Sequence, residues 1–88
     1  MEDQVHAVNR WLLDRERAAH QQRALRNRRE DLEHRIQHVL DYRNGLIQKR
    51  DRKDAQIPLR DAERRMWDNK IALADESIAS LRAELSAL

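Results

Sequence analysis

One glycine and one proline among 88 residues leave this chain almost no means of turning. Hairpins, sheets and loop-rich folds need glycine and proline where the backbone reverses or takes a positive φ. A chain without them is confined to long uninterrupted elements, and its wealth of Arg, Glu, Leu, Ala and Gln selects helix for those elements. Charged residues make up 39% of the chain and there is no Phe. The apolar material can therefore cover a stripe along a helix but cannot fill a globule. Disorder is the rival outcome for so charged a chain, yet the apolar residues recur regularly and two Trp are present. At this length the chain is at most one small domain, here taken as residues 1–88, and its stability depends on a long seam or on a partner.

The seam can be read directly. From Val8 the apolar positions alternate at three- and four-residue spacing through Trp11, Ala18, Leu25, Leu32, Ile36, Val39 and Leu46. This is a heptad pattern, weakened where Arg15, Gln22 and Arg29 occupy positions that ask for apolar residues. A cleaner seam runs through Trp67, Ile71, Ala74, Ile78, Leu81, Leu85 and Leu88. The expected fold is all-α, an antiparallel helical hairpin or coiled coil of two long helices.

Two breakers compete for the turn. Asn44-Gly45 could end a helix with a left-handed glycine cap. Pro58 lacks an amide donor and suits the first position of a new helix. A proline kept inside a helix costs about 3 kcal/mol or more, whereas keeping Asn44 and Gly45 helical costs about 1–2 kcal/mol. The balance favours a turn just before Pro58, with helices over 3–53 and 58–87, a turn at 54–57, and Asp61 and Glu63 in the opening turn of the second helix. A turn there pairs Leu25 with Leu85, Leu32 with Ile78, Ile36 with Ala74 and Val39 with Ile71, all apolar. It also sets Trp67 opposite Arg43, inviting a cation–π contact. The first helix then overhangs the second, carrying Val5, Val8, Trp11, Leu12 and Leu13 as an apolar face without intrachain cover.

Catalytic chemistry finds no foothold in this pattern. No phosphate-binding glycine loop, nucleophile elbow or serine triad is present. The sixteen acidic residues alternate with arginines at helical spacings, the pattern of solvated faces supported by i to i+4 pairs. His34 and His38 have the i, i+4 spacing of a two-histidine metal site but no obvious further ligands, and they read as surface histidines. The chain is expected to have no enzymatic activity, no cofactor, no metal and no small-molecule substrate. Without cysteine it suits a reducing compartment, and no apolar run approaches the length that spans a bilayer. A cytoplasmic protein is expected.

Charge is unevenly spread. Residues 15–65 carry fifteen Lys/Arg against nine Asp/Glu, and the two ends together three against seven. Fifteen of the eighteen cations are Arg, the planar fork that grips phosphate or carboxylate. Arg26, Arg28 and Arg29 form one dense group, of which Arg26 and Arg29 are candidate contacts, and Lys49, Arg50, Arg52 and Lys53 another near the turn. Interspersed acids favour a solvated face or an acidic protein partner over a dedicated nucleic-acid stripe, although nucleic acid remains an alternative. Trp is a common interface anchor, so Trp11 joins Val5, Val8, Leu12 and Leu13 as a candidate contact for a protein partner or for self-association.

Asp41-Tyr42-Arg43, a charged run, a turn near Pro58, Leu59 to Glu63 and Ile78-Ala79-Ser80-Leu81-Arg82 together resemble the middle region of the central-stalk proteins of type III secretion systems, the YscO/FliJ type. The resemblance covers about half the chain. It implies a non-enzymatic adaptor that contacts an export ATPase and chaperones. Small helical-hairpin secretion chaperones are comparable in size.

Overall fold

A computed structural model describes the backbone of residues 2–88 and the side chains of residues 7–88. The described residues form two helices, α1 over Glu2–Gln56 and α2 over Asp61–Ser86. The chain divides into two compact units, residues 1–30 and 31–88. The first is helical throughout its described length. The second is an antiparallel helical hairpin, made of the C-terminal part of α1 and the whole of α2.

Gly45 does not end a helix. It has no positive φ and α1 continues through it to Gln56. What stops α1 is Pro58: its ring disfavours helical backbone in the preceding residue, and Ile57 is the first residue outside the helix. The Ile57 amide still donates to the Lys53 carbonyl at 3.1 Å, closing the last turn.

The boundaries nevertheless differ from expectation. The first helix passes through 54–56, and Pro58 lies in the connector instead of opening α2. Arg60 is the N-cap, with extended backbone (φ −68°, ψ 156°), so α2 starts at Asp61, and Asp61 and Glu63 do occupy its first turn. One carboxylate organises the connector. Asp54 Oδ1 accepts the Leu59 amide at 3.0 Å and the Arg64 guanidinium at 3.0 Å. The backbone bond from Leu59, supported by the charge of Arg64, holds the Asp54 carboxyl below its ordinary value of 3.8 against the opposing effect of burial.

The core of the hairpin is a narrow seam. Leu32, Ile36 and Leu46 are buried on α1, and Trp67, Ile71, Ala74 and Ile78 on α2. Leu46, Trp67 and Ile71 form one cluster, with Ile47 and Leu59 packed against it. All seven buried residues among those described belong to the two apolar stripes read from the sequence, because heptad spacing keeps such positions on one helical face.

The pairing across the seam differs from the expected one. Arg43 meets Asp75, Arg50 meets Asp68 and Arg64 meets Asp54. Each pair of residue numbers sums to 118, and Leu46 with Ile71 to 117, whereas the expected pairs summed to 110. Leu32 therefore lies level with Leu85 instead of Ile78, and Ile71 faces Leu46 instead of Val39. Leu25, expected opposite Leu85, is exposed. The cause is the connector: three more residues in α1 and three fewer in α2 move the point of reversal toward the C-terminus and slide the helices by one heptad.

Candidate functional site

The exposed apolar residues of the first unit were the sequence's main candidates. Val8, Trp11, Leu12 and Leu13 are all exposed, Trp11 at 58% and Leu12 least at 46%. The Val5 side chain lies outside the described residues. At 3.6 residues per turn, Val8, Trp11 and Leu12 share one face of α1, with Arg15, Ala18, Ala19, Gln22, Arg26 and Arg29 continuing the same stripe. Leu13 is about 100° away from Leu12 on that geometry. It lines instead a shallow surface depression with Glu16, Arg17 and His20. The candidate face is thus a stripe through Val8, Trp11 and Leu12 without Leu13.

Arg15 lies over the Trp11 ring, 5.3 Å from its centroid. A cation over the indole face is attracted by the ring quadrupole, which favours the contact between these two side chains one turn apart. Arg26 and Arg29 are exposed on the same stripe. Sequence reasoning placed these two arginines with the basic group and Trp11 with the apolar group; helical geometry puts all three on one surface.

The second basic group is split in two. Arg50 donates to the carboxylates of Asp51 and Asp68, each at 3.1 Å, and these hydrogen bonds, the one to Asp51 first, raise its pKa. Lys53 lies 5.5 Å from the centroid of Trp67, and Lys70 of α2 lies 5.4 Å from the same ring. Arg50 and Lys53 are therefore taken up by the hairpin itself, while Lys49 and Arg52 are exposed and form no ion pair among the described residues.

The cationic neighbours of Trp67 are thus two lysines, not Arg43. Arg43 sits level with Asp75 after the one-heptad slide. Its Nε is buried close to that carboxylate but is not aligned to donate a hydrogen bond, so the contact is electrostatic.

His34 and His38 are exposed and flank an open groove between α1 and α2 with Val39, Ser77, Ser80 and Leu81. Among the described residues no group of three or more His, Cys, Asp or Glu side chains gathers as metal ligands do. No helix of the described chain is long and apolar enough to cross a membrane.

No family model, curated protein or solved structure matches the chain.

Proposed function

We propose that this protein is a non-catalytic helical adaptor, chaperone or assembly factor that binds a protein partner through the stripe of Val8, Trp11 and Leu12. The observation that carries this reading is the exposure of an indole and two aliphatic side chains together on one helical face. A large aromatic residue is a costly group to leave in water and a common anchor when a partner covers it. A place in a secretion apparatus, and with it a cytoplasmic location, rests on the resemblance of the middle region to type III central-stalk proteins. The nucleic-acid alternative loses support from the internal engagement of Arg50 and Lys53, which thins the densest basic group.

The test is the double variant Trp11→Ala with Leu12→Ala, scored by far-UV circular dichroism and by binding to partners recovered from the native source. Helix content should stay within a few per cent of the parent, since both replacements favour helix, while binding or self-association weakens. Loss of most helicity would place those residues in the core and end the adaptor reading. Affinity for duplex or single-stranded nucleic acid that falls steeply with salt would favour the alternative.

A further inference from the structure

The position occupied by Arg43 and Arg50 recurs every seventh residue along α1, through Arg15, Gln22, Arg29 and Ile36. A cation is unusual at a seam position, and the hairpin shows how it is accommodated. α2 carries aspartates at the same interval, Asp68 for Arg50 and Asp75 for Arg43, while Leu46 between them packs on Trp67 and Ile71. A helix that meets this kind of face supplies apolar side chains and, at every seventh residue, a carboxylate.

The first unit repeats that face. Shifted by four heptads, Val8, Leu12, Arg15, Ala18 and Ala19 stand where Ile36, Leu40, Arg43, Leu46 and Ile47 stand in the hairpin. Arg15 and Arg29 have no carboxylate partner among the described residues, and Val8, Trp11 and Leu12 are exposed. The two faces differ in volume: Trp11 replaces Val39, and Ala18 replaces Leu46. At the level of Val39 the facing helix carries the buried Ile78, flanked by Ser77 and Ser80; at the level of Leu46 it carries Trp67 and Ile71. A helix with a residue smaller than Ile78 at the first level and bulky ones at the second would seat the Trp11 indole and fill the space beside Ala18.

We propose that the first unit docks a helix of another protein whose seam matches α2 in chemistry, apolar with an Asp or Glu at every seventh residue. The inference rests on the adaptor reading above and specifies its partner. A second copy is the poorer occupant on charge. Residues 7–30 carry seven Arg against three acids, so two copies of the face repel, and Asp68 and Asp75 of a second copy are already paired within its own hairpin.

The test uses the full chain and two synthetic helical peptides. One has the sequence of residues 61–86, with aspartate at 61, 68 and 75; the other has Lys at those three positions. The chain should bind the aspartate peptide and not the lysine peptide. Arg15→Glu with Arg29→Glu should weaken the first by about tenfold or more and create binding of the second, since two ion pairs are inverted at a partly desolvated seam. Arg43 and Arg50 are untouched in that variant, so unchanged binding of the aspartate peptide would mean exchange with α2 or purely apolar docking, and would overturn the proposal. No binding of the aspartate peptide would overturn it as well. Sedimentation of the chain alone separates the two readings. A dimer lost with Trp11→Ala and Leu12→Ala but insensitive to Arg15→Glu and Arg29→Glu would make a second copy the occupant. The adaptor reading would then stand and this one fail.

Discussion

Replacing Ile71 by Ala removes three carbons from the Leu46–Trp67–Ile71 cluster, where the side chain is buried. At about 0.8 kcal/mol per buried methylene the transfer loss is about 2.4 kcal/mol. Little cavity penalty adds to it, because a seam walled by only two helices can collapse or admit water, which puts the total near the lower end for such truncations. For a chain of this size that is a fall in Tm of roughly 10–20 °C. Leu46→Ala removes as many carbons from the facing side and should cost about the same. The informative quantity is the double variant. If Leu46 and Ile71 touch, the second truncation removes contacts already partly lost, and the pair should fall short of additivity by about 0.5–1 kcal/mol. Val39 lies one heptad from Leu46, about 10 Å along the helix, so Val39→Ala with Ile71→Ala should add within about 0.5 kcal/mol. Urea unfolding followed by far-UV circular dichroism gives all the required free energies. Coupling between Val39 and Ile71 with none between Leu46 and Ile71 would refute the register and restore the pairing first expected from the sequence.

Two further outcomes follow from the backbone. A Cβ built on Gly45 meets nothing within 4 Å and the residue is helical, so Gly45→Ala should stabilise the chain by about 0.5–1 kcal/mol, and a lower Tm would mean that the helix is interrupted there. Because the Asp54 pKa is lower in the folded chain than its ordinary 3.8, its contribution is complete above that value and disappears as pH falls through the depressed one. Across that acid window the parent should lose more stability in thermal melts than Asp54→Asn does, and parallel losses would show that this carboxylate does not organise the connector.

What the sequence determined alone was the class of fold and the identity of the buried stripe. The scarcity of glycine and proline left only helices, the greater cost of an internal proline located the reversal at Pro58 over Gly45, and periodicity marked Leu32, Ile36, Leu46, Trp67, Ile71, Ala74 and Ile78 as inward-facing. It also marked Leu25, which is exposed, because periodicity says which face a residue is on and not whether anything covers that face. Tertiary structure decided the register. A heptad pattern matches itself after a slide of seven residues, so pairings summing to 110 and to 117 look alike in apolar spacing. Only the length of the connector, clamped by Asp54, and the meetings of Arg43 with Asp75 and Arg50 with Asp68 distinguish them. The same slide decided which cations the hairpin consumes, Arg50 and Lys53, and which remain on the surface, Lys49 and Arg52, since a charge in the sequence has no partner until the helices are set side by side.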